Sequence, residues 1–168
     1  MNEHVIFTGR LLVRDPFAGE LMEKGAILID TKEDRTSIKE VDSFSALSKK
    51  YPDAKVVDFG DNIVMPGLVL AHHHLYSTFA RGFSTGKSPK NFVEVLETLW
   101  WKLDRLLTEE DIYYSCFPPL IDCIKNGVTS IIDHHESQGF QLGSMVKLME
   151  AVKEVGIRAN LSFGVSDR

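Results

Sequence analysis

Apolar residues along the chain follow two successive patterns, and the change comes near residue 63. Before it the runs are short. Residues 5–13 (VIFTGRLLV) and 26–30 (AILID) are separated by Asp15-Pro16 with Gly19 and by Lys24-Gly25, all turn-forming residues, and 55–59 (KVVDF) precede Gly60-Asp61-Asn62. These predict strands. Residues 31–43 are polar and charged, as in a loop or a solvated hairpin, and 43–51 (SFSALSKKY) predict a short helix ended by Pro52. From residue 63 the elements lengthen. Residues 63–71 form a nearly continuous apolar stretch interrupted by Pro66-Gly67, the pattern of a strand buried on both faces. Residues 82–91 are loop-like. Phe92, Val95, Leu96, Leu99, Leu103 and Leu106 recur at helical spacing and predict an amphipathic helix over 92–107. Thr108, followed by Glu109, Glu110 and Asp111, has N-cap chemistry with acids in the first turn, where the helix dipole favours them. The helix it opens runs to Asn126 and is stopped by Gly127. Pro118-Pro119 fall inside it, where a proline costs about 3 kcal/mol, so a kink or two joined segments are expected. Residues 128–133 (VTSIID) predict a second strand, 142–155 a third helix closed by Gly156, and 158–165 a third strand. Strand, helices, strand, helix, strand implies parallel strands joined by right-handed helical crossovers. The chain thus divides into a β-rich segment, 1–62, and an α/β segment, 63–168.

Composition narrows the class. Hydrophobic residues make up 43% and charged residues 26%, the balance of a soluble globular protein. Acids outnumber Lys and Arg by 24 to 19, and no basic cluster is present, so nucleic acid is not expected as a partner. No apolar run approaches the ~18 residues of a membrane span, and Met-Asn-Glu-His-Val lacks the layout of a secretory signal, so no membrane partner is expected. Cys116 and Cys123 are too few for a disulfide scaffold and lack metal spacing. They predict a reducing cytoplasm and two buried thiols on one helix face.

Histidine placement carries the chemistry. Of six histidines, five lie in two clusters, His72-His73-His74 and His134-His135. His72 and His74 follow an apolar strand two residues apart, so they share a face while His73 points away. Two imidazoles at the C-terminal end of a parallel strand can ligate one metal ion; the competing reading is three adjacent surface-loop histidines. His134-His135 end the next strand on the same side. Because consecutive residues point in opposite directions, at most one faces a site, as a substrate contact or a supporting group, and either could instead bond neighbouring backbone. Arg81, just past the first cluster, suits either an anionic substrate group or a solvated loop. Phe79, Trp100 and Trp101 read as packing residues. Gly82–Ser88 (GFSTGKS) is one residue short of phosphate-loop spacing and is followed by Pro89, so it is read as an ordinary loop.

Met65-Pro66-Gly67-Leu68-Val69-Leu70-Ala71-His72-His73-His74-Leu75 resembles the Pro-Gly-Leu-x-x-x-His-x-His-Leu signature of the amidohydrolase superfamily. Tyr76-Ser77-Thr78-Phe79-Ala80-Arg81-Gly82 resembles its deaminase and chlorohydrolase branch. Within that branch the chain is most similar to aminohydrolases associated with selenium metabolism, a likeness extended by Leu99-Trp100-Trp101-Lys102-Leu103-Asp104 and by residues 127–135 (GVTSIIDHH). The resemblance covers nearly the whole chain. It implies an α/β fold, a partial (β/α)8 TIM barrel of three strands, with a small β-sandwich domain formed by segments before and after the barrel. It implies His72 and His74 as metal ligands, a divalent ion (zinc first, iron second), and hydrolytic deamination of a small purine-, pyrimidine- or triazine-like heterocycle. Further His ligands and a proton-handling Asp come from later strands in that superfamily, so no catalytic residue is assigned here. Two departures stand out: His73 replaces a small polar residue between the ligands, and Pro118-Pro119 occupy a crossover helix. A second enzymatic reading is cyclic-amide hydrolysis of the dihydroorotase or hydantoinase kind, distinguished by a bridging Lys on a later strand. A barrel needs eight strands and about 250 residues, so the chain reads as the N-terminal portion of a longer enzyme, inactive alone. A third reading is a non-catalytic binding or assembly protein. Three parallel strands leave an unpaired apolar edge, so a homo-oligomer or a covering partner is expected.

Overall fold

The structure is a computed structural model and describes residues 4–31 and 36–165. The chain forms two compact units, Met1–Pro66 and Gly67–Arg168.

The first unit contains strands β1 (His4–Thr8), β2 (Leu11–Asp15), β3 (Glu20–Glu23), β4 (Gly25–Asp30) and β5 (Ser37–Ser43), helix α1 (Phe44–Lys50), and strands β6 (Lys55–Asp58) and β7 (Ile63–Val64). They form a four-stranded sheet, β5-β4-β1-β6, and a three-stranded sheet, β3-β2-β7. The apolar run 5–13 is therefore two strands in different sheets. The break falls at Gly9-Arg10: a Cβ on Gly9 would lie 2.6 Å from the Asn62 carbonyl oxygen, which accepts the Arg10 N–H at 3.1 Å. Ile63 and Val64 pair with Leu11 and Leu12, which keeps them in this unit and separates them from the next strand. The polar stretch 37–43 is an edge strand antiparallel to β4; residues 32–35 lie outside the described residues. Its Lys39, Glu40 and Asp42 are side chains that suit an exposed edge. Ser43 caps α1 by accepting the Ala46 N–H at 3.2 Å. Ile6, Ala26, Leu28 and Leu47 form the core.

In the second unit β8 (Leu68–His73), β9 (Val128–His135) and β10 (Arg158–Phe163) form a wholly parallel sheet in the order β10-β9-β8. Between β8 and β9 come a 3-10 turn (Leu75–Ala80), α2 (Phe92–Val95), a π-helical turn (Leu96–Trp100), α3 (Trp101–Leu106), α4 (Glu109–Ser115) and α5 (Phe117–Lys125); α6 (Ser144–Val155) joins β9 to β10. The long helix expected from Thr108 to Asn126 breaks at Cys116. Pro118 and Pro119 occupy the first turn of α5, where their missing N–H groups have no intrahelical partner to lose. Thr108 and Asp111 make a reciprocal capping box on α4, and Gly156, at φ 80°, ends α6. Leu107, Ile112, Cys116, Leu120, Ile131, Leu148 and Val152 form one apolar core under these helices. β8 is not buried on both faces as its apolar run suggested: it is an edge strand, Leu68 is 51% and Val69 63% exposed, and Leu70 is the residue packed against the helix-covered core. Among the described residues no helix is long and apolar enough to cross a membrane.

Candidate active site

The parallel strands aim their C-terminal ends in one direction, and both histidine clusters sit there. At the end of β8 the Nε2 atoms of His72 and His74 are 3.0 Å apart, with the rings nearly perpendicular at 80°. His74 Nδ1 lies 2.8 Å from the His134 carbonyl oxygen. A carbonyl only accepts, so Nδ1 carries the proton, and it is Nε2 that faces His72. The donor set fits a shared cation. Two nitrogens held at tetrahedral angles on zinc stand about 3.3 Å apart, close to this separation. The pair supplies two donors only: among the described residues no group of three or more His, Cys, Asp or Glu is arranged to hold a metal.

His73 turns to the other side of the sheet. Its Nδ1 is buried without a hydrogen-bond partner and lies 3.7 Å from Asp133 Oδ1. Asp133 is fully buried, and the same oxygen accepts the Leu75 N–H at 2.7 Å.

The alternation of β9 decides between the two later histidines. Ile131, Asp133 and His135 are buried, while Ile132 and His134 are exposed. The His134 ring stands 5.5 Å from that of His74, and both line a cavity of about 560 Å³. His135 does not line it. Fully buried on the opposite face, it bonds Ser137 Oγ through Nε2 at 2.8 Å and packs on Tyr76 and Phe163. Burial pulls its pKa down to about 4, against the opposing pull of the Asp133 charge. It is therefore neutral at physiological pH and out of reach of a ligand in this cavity.

The remaining lining is aromatic and acidic. Tyr76, Phe92, Trp100 and Trp101 contribute rings, and Glu136 a carboxylate. Trp100 also packs on the core, so the packing role expected of it is half of its work. The π-helical turn carries Leu96 and Trp100, and its extra width is a recurrent feature of helices at functional sites. Phe79 is exposed. Arg81 lines a neighbouring cavity of about 460 Å³ together with all three of His72, His73 and His74. Glu136 was not singled out from the sequence, although alternation from His134 places it on the same face. It is seated closely: Gln138 Nε2 donates to Glu136 Oε2 at 2.6 Å, and a Cβ at Gly164 would fall 1.9 Å from Glu136 Oε1 and 2.8 Å from His134 Nε2.

Residues 63–168 match the model of the amidohydrolase family. The chain belongs to the amidohydrolase family. It is 31% identical over 161 residues to the 5-methylthioadenosine/S-adenosylhomocysteine deaminase of Moorella thermoacetica, covering 94% of this chain and 34% of that protein. Among solved structures it is similar to guanine deaminase from C. acetobutylicum with bound guanine, at 22% identity and a TM-score of 0.73, over 94% of this chain and 35% of that one. It is also similar to an adenosine deaminase from Xanthomonas campestris with bound Zn, at 14% identity and a TM-score of 0.63, over 92% and 32%. The chain thus spans about a third of the length of the relatives it matches. The shared fold is mixed α/β, and all five clustered histidines lie in the amidohydrolase-family segment.

Proposed function

We propose that the protein carrying this chain is a metal-dependent hydrolase that deaminates a small purine-, pyrimidine- or triazine-like heterocycle, with His72 and His74 as two of its metal ligands. The observation that carries this is the convergent Nε2 pair, with the tautomer of His74 set by the His134 carbonyl. The C-terminal position of the pair on a parallel sheet supports it, as does membership of a family whose relatives are named deaminases. In this reading the three parallel strands begin a (β/α)8 barrel and the first unit is part of a β-sandwich domain. The remaining ligands and a proton-handling Asp belong to barrel strands that this chain does not include.

His72 and His74 would hold a divalent cation, zinc as first choice and iron as second, which would supply Lewis-acid chemistry and lower the pKa of water toward neutrality. The residues of this chain do the rest of the local work. The His134 carbonyl keeps the His74 Nε2 lone pair free. The Tyr76, Trp100 and Trp101 rings offer faces to a planar heterocycle, and the His134 imidazole with the Glu136 carboxylate accepts hydrogen bonds from its N–H or O–H groups. Arg81, in the adjoining cavity, serves a substrate that carries an anionic group. Free, buried Cys116 and Cys123 suit a reducing cytoplasm, and the exposed Val69 and Ile132 suit a face covered by further barrel strands or by another copy.

Metal analysis of the purified protein tests the reading. About one zinc or iron per chain is expected, with none retained by His72→Ala/His74→Ala and with ammonia release from heterocyclic amines lost in that variant. Equal metal in both proteins would sink it.

A further inference from the structure

We infer that Asp133 is a positioning residue for the His72/His74 pair, acting through the Leu75 amide and touching neither metal nor substrate. The inference rests on the reading of that pair as metal ligands. The ladder between β8 and β9 shifts register between Leu68 and Val69 and again between Leu70 and His73, where it keeps the single pair His73–Asp133, so regular sheet pairing alone does not set the backbone that carries the two imidazoles. Two adjacent residues of β9 take over. The Asp133 carboxylate accepts the N–H of Leu75, one residue past His74, at 2.7 Å, and the His134 carbonyl accepts from the His74 ring at 2.8 Å. One holds the main chain of His74 and the other its side chain.

The surroundings tighten this grip. Ser77 Oγ donates to the His74 carbonyl at 2.7 Å, Thr78 Oγ1 donates to that of Leu75 at 3.0 Å, and Ser162 Oγ donates to the carbonyl of Asp133 itself at 3.0 Å. Asp133 is a costly residue to keep there. It is fully buried, and among the described residues its Oδ2 has no hydrogen-bond partner; the nearby His73 Nδ1 also has none there. A buried polar atom left unpaired costs about 1–3 kcal/mol. Ile131, two residues earlier on the same face, shows that an apolar side chain fits this layer. What the side chain adds is an oxygen acceptor for the Leu75 amide, a bond that fixes where His74 sits and that the negative charge only strengthens. A metal site tolerates only about 0.5 Å of ligand displacement, and loss of a supporting partner typically lowers metal affinity 10–100-fold.

The test titrates the metal-free protein with Co²⁺, following its ligand-field absorption, in wild type, Asp133→Ala, Asp133→Asn and His72→Ala/His74→Ala. Every titration is made below the unfolding transition of the variant, and hydrogen exchange of the Leu75 amide is measured without metal. Asp133→Ala is expected to weaken Co²⁺ binding 10–100-fold and to speed Leu75 exchange. Asp133→Asn keeps an oxygen acceptor in the same place and is expected to stay within about threefold of wild type, the difference between a charged and a neutral bond. Wild-type affinity and wild-type Leu75 protection in Asp133→Ala would overturn the inference. So would Asp133→Asn falling as far as Asp133→Ala, since charge would then matter and the hydrogen bond would not. If His72→Ala/His74→Ala binds Co²⁺ as wild type does, the ligand reading itself fails and the inference falls with it.

Discussion

The two faces of β9 are made from alternate residues of one strand and serve different ends. On the helix-covered face Ile131 is 2% exposed, and the polar residues beside it are engaged within the chain, Asp133 with Leu75 and His135 with Ser137. On the other face Ile132 is 44% exposed, and His134 joins His74 and Glu136 around a cavity. Polar groups on the closed face are tied into the chain; those on the open face line a cavity. Residue type does not separate the two, since neighbouring histidines fall on opposite sides.

The sharpest way to break this comparison is to truncate adjacent isoleucines. Ile131→Ala should cost about 2–5 kcal/mol in urea unfolding of the 168-residue chain, through lost burial and the cavity left behind. Ile132→Ala, half in water already, should cost less than about 1 kcal/mol. Similar losses at both positions would mean that the second face is covered in solution.

A pH series gives an effect of intermediate size. The pKa of His135 is pulled from its ordinary 6.5 to about 4 in the folded chain, so over that interval the unfolded chain binds more protons and stability must fall as the solution is acidified. Between pH 7 and pH 5 the loss should be about 2 kcal/mol, read from the urea midpoint, and should shrink in His135→Gln. A midpoint indifferent to pH in the wild-type chain would place His135 in contact with water, and the distinction between the faces would fail there.

The smallest effect concerns the helices that close the covered face. Thr108→Ala removes the capping box at the start of α4 and should cost about 1 kcal/mol, measurable as a modest drop in Tm. A loss as large as that of Ile131→Ala would show that this face is held by its helix ends more than by its apolar packing.

What was readable in advance tracks how local the physics is. Thr108, Gly127 and Gly156 mark helix ends through bonds made within a few residues, and the strand–helix alternation of the second unit follows from them. The split of 5–13 into two sheets depends on Asn62, far along the chain, and no short window contains it. β5 was read as a loop or hairpin because so much of it is exposed that no apolar alternation is imprinted on it. At the site, the shared face of His72 and His74 follows from strand periodicity alone. Which of His134 and His135 faces the cavity depends on where the helices pack, a tertiary fact. Glu136 was legible by the same alternation once that choice was made. The double duty of Trp100 was not, since a ring at the edge of a core has the same spacing as one inside it.

Gly164 lies just past the end of β10, with its N–H on the His135 carbonyl at 2.8 Å, and its backbone is not in the left-handed region, so what a side chain there would meet is the Glu136 carboxyl and the His134 ring rather than backbone. Any substituent there must displace Glu136 or turn His134 aside. The Glu136 end of the cavity is thus bounded by the residue after the third strand, while the imidazole pair is held by the second. A change at residue 164 reshapes the His134 and Glu136 side of the cavity, while the His74 ring is held through the His134 main-chain carbonyl and, by way of the Leu75 amide, Asp133.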